Sequence, residues 1–173
     1  MNPVPPASLL ALALLLAPAL AVAKSSDRNQ PIYLDSDNQT ATASGEGTSV
    51  WSGNVTLTQG TLNISAGRAE LTQRNGDPSR AVFFGKPVRL KQQMDDGGTM
   101  TATADKIDYD LNTEEIVFTG NYTVTTPRGS NSGQRLVYNA RTGAIQGGGD
   151  GTRVRTVIQP KRAAPAAAPQ GGS

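Results

Sequence analysis

Asp108 and Asp110 stand two apart in the run Lys106-Ile107-Asp108-Tyr109-Asp110-Leu111. On a strand their carboxylates would share a face at about 6 to 7 Å, a separation near that of the paired carboxyls that cleave glycosidic bonds. The same alternation sends Ile107, Tyr109 and Leu111 to the opposite face, so the aspartates are expected on a solvated face and not in a catalytic pair. Asp95-Asp96 next to Gly97-Gly98 offers oxygen ligands but lacks the D-x-D-x-D spacing and distant Glu of a calcium loop. The run Gly147-Gly148-Gly149-Asp150-Gly151 lacks the Gly-Lys-Ser/Thr ending and the helix that cradle a phosphate. The chain contains no His and no Cys, which removes Ser-His-Asp and Cys-His catalysis, thiol-based zinc sites and disulfides. The sequence therefore predicts no catalytic residue, no metal and no cofactor.

What could position any of these groups is a β-structure. From Val50 to Ala69 large apolar residues fall on alternate positions, with Val55 and Leu57 before the Gln59-Gly60 turn and Leu62, Ile64 and Ala66 after it. This reads as a hairpin or a sheet-turning corner. Gly53-Asn54-Val55 is answered by Gly85-Lys86-Pro87-Val88 and Gly120-Asn121-Tyr122, at steps of 32 and 35 residues, each with an aromatic shortly before it (Trp51, Phe84, Phe118). A period of this length marks an architecture of stacked supersecondary units. Further strands are expected at Ile32 to Leu34, Ala81 to Gln93 (Val82, Phe84, Val88 and Leu90 on one face), Met100 to Asp110, Glu115 to Phe118, Tyr122 to Thr126, Leu136 to Tyr138, Ala144 to Gln146 and Arg153 to Ile158. Asn75-Gly76-Asp77-Pro78, Asp95 to Gly98, Asn112-Thr113 and Pro127 to Asn131 are the turn signals between them. No helical period follows residue 23, and the fold class is all-β.

Met1 to Ala23 has an apolar run from Leu9 to Leu20 and ends Ala21-Val22-Ala23, the pattern of a cleaved signal peptide, with a mature start at Lys24. The run is too short to span a bilayer, although no Lys or Arg precedes it. Lys24 to Asn29 reads as a polar lead-in, residues 24–160 as one domain, and 161–173, rich in Ala, Pro and Gly, as a disordered tail. A net charge of +2 with both signs interspersed, together with only one Trp, four Tyr and three Phe, argues against nucleic-acid binding.

What remains is the apolar side of the sheet. It is either a filled core or a groove for an elongated apolar ligand, and periodicity does not choose between the two. From Gln30-Pro31-Ile32 through Gly53-Asn54-Val55, Thr58-Gln59-Gly60-Thr61, Gly85-Lys86-Pro87, Gln93, Asp95, Tyr109, Thr119-Gly120-Asn121 and Tyr138 to Arg153-Val154-Arg155-Thr156-Val157-Ile158-Gln159-Pro160, the chain resembles the OstA-like family of periplasmic lipopolysaccharide-transport proteins. The order and spacing of these short matches carry the resemblance, which departs from the family in the Ala/Pro tail and the uncharged start.

The resemblance implies a twisted, open β-jellyroll of antiparallel strands that shields the acyl chains of lipopolysaccharide in an apolar groove and carries the lipid from the inner to the outer membrane. It implies LptC as partner at one end and LptD at the other, head-to-tail self-association and a periplasmic location. Family positions that contact lipid fall on Ile32, Leu90, Tyr109 and Leu111. With the alternation, the expected lipid-facing set is Ile32, Leu34, Val55, Leu57, Leu62, Ile64, Val88, Leu90, Ile107, Tyr109, Leu111 and Phe118. The expected docking edges are Ile32, Tyr33 and Leu34 at one end and Arg153, Val154, Arg155, Thr156, Val157 and Ile158 at the other. A competing expectation, permitted by the repeat spacing alone, is an exported β-solenoid enzyme acting on polysaccharide.

Overall fold

A computed structural model describes residues 26–41 and 45–160. The expected signal peptide and tail lie outside the described residues. Ten strands form one antiparallel sheet: β1 (Ile32–Asp35), β2 (Asn38–Thr40), β3 (Gly47–Gln59), β4 (Leu62–Arg74), β5 (Asp77–Gln93), β6 (Thr99–Asp110), β7 (Glu115–Thr126), β8 (Gly129–Asn139), β9 (Ile145–Gly147) and β10 (Arg155–Ile158). Their order is β1-β3-β4-β5-β6-β7-β8-β10, with β2 also on β3 and β9 also on β8. The sheet is a meander of hairpins whose two ends never meet.

Why this sheet folds is written in its irregularities. Pairing slips between Ser52 and Val55 in β3, Ser65 and Arg68 in β4, Phe84 and Val88 in β5, Thr103 and Lys106 in β6, and Thr119 and Tyr122 in β7. Neighbouring strands slip at paired positions, so the bulges line up into a crease running across the strands. Bulges bend a strand and tighten its twist, and a row of them turns a whole sheet back on itself. The first leaf holds β1, residues 55–66, 88–104 and 122–133, and β10. The second leaf holds β2, residues 47–52, 68–84, 106–119 and 135–139, and β9.

The recurrent Gly-Asn pair is the chemical device of the crease. Gly53 and Gly120 have φ of +78° and +79°, and Asn54 and Asn121 follow at +45° and +46°. Only Gly adopts the first of these without a steric penalty, and Asn is among the few side chains that tolerate the second. In β3 Asn54 Nδ2 donates to the Asp37 carboxylate at 2.9 Å, and in β7 Asn121 Nδ2 donates to Asp105 at 3.2 Å. The spacing seen in the sequence therefore records one bulge in every second strand, the period of a hairpin meander.

The apolar sides of the two leaves face each other. Val55, Ile64 and Val88 of the first leaf and Phe83, Ile107, Phe118 and Leu136 of the second are each at most 1% exposed within a single cluster. Such burial requires cover from another layer, and the opposite leaf supplies it.

Three expectations are corrected here. Val82 and Phe84 are not on the apolar face; Ala81 and Phe83 are, because the bulge at residues 85–87 reverses the phase of β5, and Phe84 packs outward under Arg68 and Lys106. β8 begins at Gly129, so the loop expected over 127–131 shrinks to a tight turn. β10 begins at Arg155 and leaves Arg153 and Val154 outside the edge strand.

Candidate functional site

Eleven of the twelve residues expected to face lipid are gathered at the one apolar interior: Val55, Leu57, Leu62, Ile64, Val88, Leu90, Ile107 and Phe118 are buried, and Leu34, Tyr109 and Leu111 pack half-buried against them. The twelfth, Ile32, is on the same face of β1 as Leu34 but is 37% exposed because it lies at the sheet edge. Phe83, Tyr122, Leu136 and Tyr138 are the bulkiest of the core residues outside the expected set, with Met94, Met100, Ile116, Val124 and several alanines beside them. The bulges hid the phase of Phe83, while the alternation of Tyr122 and Tyr138 was there to be read.

The interior reaches the surface at one end, and its side chains thin out toward the hairpin turns. Away from the crease the first leaf ends in the hairpin turns at 60–61, 94–98 and 127–128 and the second in those at 75–76 and 111–114, and Leu71, Tyr109 and Leu111 lie half-buried toward the latter two. At the β9/β10 end, first-leaf residues Val124, Asn131, Thr156 and Ile158 and second-leaf Ile145 line an open, apolar cavity of about 300 Å³, with Arg128 at its rim. Ile145 and Ile158 are 53% and 80% exposed there. Tyr122 Oη donates to Asn131 Oδ1 at 2.6 Å and Asn131 Nδ2 donates to Thr156 Oγ1 at 2.8 Å, a relay that ties the terminal strand to the core. Burial, and the negative charge of Asp150, push the Tyr122 phenol up.

The first-leaf rim is polar where the chain enters. The 3-10 turn Asp27–Asn29 lies against the β3–β4 hairpin, and Asp27, 5% exposed, accepts from Thr61 N at 3.0 Å and from Gln92 Nε2 at 3.2 Å. The polar lead-in expected for this stretch is thus a packed element. Nothing local marks Asp27 for burial, since its partners are 34 and 65 residues away.

Asp108 and Asp110 sit outside this interior, on the outer face of the second leaf, where with Arg74, Arg80 and Glu115 they line a cavity of about 360 Å³. Asp108 accepts from Arg80 Nε at 2.7 Å and pairs with Lys106 Nζ at 3.1 Å, so it is ion-paired and not merely solvated. Asp110 caps the β6–β7 turn, accepting from Asn112 N and Thr113 N at 2.9 Å each. The Arg80 hydrogen bond holds the Asp108 carboxyl below the usual carboxylate range, and the Thr113 and Asn112 amides do the same for Asp110. A glycosidic acid needs a carboxyl held protonated, and both of these are held as carboxylates. Among the described residues no cluster of potential metal ligands occurs, and no helix is long and apolar enough to cross a membrane.

Both ends of the first leaf are edge strands, each paired on one side and, among the described residues, without a strand on the other. Gln159 N donates to Arg128 O at 2.9 Å, which fixes the direction of the backbone groups of β10: Arg155 and Val157 point at β8, and Thr156 and Ile158 point away from the sheet. At the other end the two-residue turn after Gln59 directs Gln59 and Leu57 toward β4, so Thr58 and Thr56 serve Tyr33 and Asp35 of β1. Ile32 and Leu34 then present free N–H and C=O groups.

Comparison with known proteins agrees with this architecture. Residues 33–144 match the family model described as LptA/(LptD N-terminal domain) LPS transport protein. The chain is 32% identical over 156 residues to the lipopolysaccharide export system protein LptA of Escherichia coli K12, covering 88% of this chain and 84% of the relative. It is 31% identical over 153 residues to the LptA of Haemophilus influenzae. The crystal structure of LptH, the LptA-homologous periplasmic component of the lipopolysaccharide transport device of Pseudomonas aeruginosa, superposes with a TM-score of 0.71 at 25% identity, over 78% of this chain and 99% of that one. A ten-stranded open sheet with one enclosed apolar side, matched in sequence across its length, makes this chain a member of the LptA/LptD-N-terminal-domain family of lipopolysaccharide transport proteins, with the twisted β-jellyroll fold.

Proposed function

We propose that the mature chain, starting at Lys24, is a periplasmic bridge that shelters the acyl chains of lipopolysaccharide between its two leaves and passes the lipid from the inner to the outer membrane. The observation that carries the reading is the interior itself, apolar on both leaves and reaching the surface at the β9/β10 cavity. Burying a CH₂ is worth about 0.8 kcal/mol, so moving one chain of about a dozen carbons into water costs on the order of 10 kcal/mol. A continuous apolar path removes that cost at each step. The chain is then a passive conduit, with the drive supplied by other components.

The two free edges of the first leaf support the second half of the reading. Exposed strands accept strands, so β1 and β10 would join the protein to further copies and to the jellyrolls of LptC and LptD.

The test places a photocrosslinking amino acid at Tyr109, on the inner face toward the β6–β7 hairpin turn, or at Asp108, its outward neighbour. Lipopolysaccharide should be captured from 109 and not from 108. Equal capture from both positions, or none from 109, would overturn the groove assignment.

A further inference from the structure

The outer faces of the two leaves differ in a way that the interior does not explain. On the second leaf, cations and carboxylates are interleaved and paired, as in Arg68–Glu70, Arg80–Asp108 and Lys106–Asp108. On the first leaf the rows read differently. Ser65, Arg89 and Thr103 stand abreast on β4, β5 and β6, and Asn63, Lys91 and Thr101 form the next row. The buried side chains of Val88 and Leu90 fix these alternate residues on the outside. The rows continue through Thr123 and Ser132 to Arg155, and through Thr125 and Ser130 to Val157.

From β4 to β10 these two rows carry hydroxyls, an amide, three cations and Val157, with no carboxylate. Along the Arg89 row the first acid is Asp35, on β1, three strands away at about 14 Å by the usual strand spacing, and the nearer Asp105, two residues beyond Thr103 at the crease, accepts from Asn121 Nδ2 of β7. Among the described residues neither Arg89 nor Lys91 has an ion pair or a hydrogen bond. The surface between them is concave. Asn63, Arg89, Lys91, Thr101 and Thr103 line a cavity of about 290 Å³.

We propose that this cavity binds an anionic saccharide, with Arg89 and Lys91 on its phosphate or carboxylate groups and Asn63, Thr101 and Thr103 on its hydroxyls. Arg presents a planar fork that matches either anion, and Lys adds a point charge about 7 Å along the strand. Flanking hydroxyls and amides both donate and accept, which suits a sugar ring better than a simple ion. A flat, two-cation surface would attract any anion; the concavity and the hydrogen-bonding rim select one with polar bulk around its charge. The site does not depend on what fills the interior, so it stands or falls apart from the bridge reading.

The experiment is a titration of the full mature chain followed through the backbone amides of Thr101 and Thr103 by NMR. Two anionic probes represent the two sources of such a ligand: deacylated lipopolysaccharide, which carries phosphorylated sugars, and soluble cell-wall glycan fragments, which carry carboxylates. Neutral dextran fragments and inorganic phosphate are the controls. At least one anionic probe should give saturable shifts at these amides, and the one that binds identifies the source. Arg89→Gln with Lys91→Gln should weaken that binding at least tenfold with an unchanged melting temperature, whereas Arg68→Gln on the other leaf should not weaken it. The proposal fails if neither probe saturates, if the double variant binds like the parent, or if inorganic phosphate does as well, which would mean an adventitious ion only.

Discussion

The Gly-Asn bulge concentrates the most demanding backbone of the molecule into single residues. A Cβ on Gly53 would lie 2.5 Å from the Asp37 carboxylate, and one on Gly120 would lie 2.5 Å from that of Asp105, so a substituent meets both a left-handed φ and a collision. Gly53→Ala and Gly120→Ala should each destabilise by about 1 to 3 kcal/mol, measured by urea unfolding. Gly76→Ala is the control, since its φ is also positive, at +86°, but open space surrounds it, so its penalty should be smaller. At Asp108 the readout is acid sensitivity. Its carboxyl titrates lower folded than unfolded, because Arg80 and Lys106 favour its charged form. Its contribution is then fully present above the unfolded value of about 3.9 and is lost as pH falls through the lower folded value. Asp108→Asn should therefore cost under about 1 kcal/mol at pH 7, as exposed ion pairs do, and that deficit should shrink below about pH 4 in denaturant titrations.

At the scale of the strand, adjacent residues of β10 make opposite predictions. Val157 directs its N–H at Ser130 of β8, and Ile158 directs its own away from the sheet. Val157→Pro should loosen the strand and lower the melting temperature by a few degrees. Ile158→Pro should melt like the parent and lose self-association, read as mass against dilution by light scattering. Normal melting and normal assembly in both would remove this edge as the docking surface. The sequence announced the strands themselves, because alternation of Val55 and Leu57 or of Leu62 and Ile64 is what one buried face requires. It did not announce the phase changes. Buried positions run Ile64 to Ala69 in β4, Phe83 to Val88 in β5 and Ala104 to Ile107 in β6, so a bulge shifts the interior from one parity to the other. In β3 and β7 the Gly-Asn insert spans two residues and parity survives, which is why Phe118 and Tyr122 could be read straight through. The site was legible wherever the reading stayed on one side of a bulge. The buried Asp27 was not, because its environment is made by Thr61 and Gln92 of other strands.

Across the whole molecule the two edges of the first leaf are complementary. Asp35 and Arg155 occupy the two ends of one outer-face row, while Leu34 and Thr156, with outward N–H groups, occupy the ends of the inner-face row beside it. An antiparallel joint between copies that pairs Thr156 with Leu34 and Ile158 with Ile32 therefore also sets Arg155 against Asp35. Asp35→Lys or Arg155→Asp alone should weaken self-association up to about fivefold, as a cross-strand charge pair would. The two together should restore it, and salt should erase the difference. Retained weakness in the double variant would mean a different register. The crease has a consequence for such a joined sheet. Among the described residues the backbone ladders join the leaves through the strands that cross the crease, and elsewhere the apolar cluster holds them together by side-chain contact, which a wedge can replace in kind. The crease thus acts as a spine, and its opening angle is a single soft coordinate for each copy. Spreading the leaves at one point strains the spine on either side and lowers the work of inserting the next wedge. Filling of the interior should then advance as a travelling front along the sheet, cooperative in the direction of the spine.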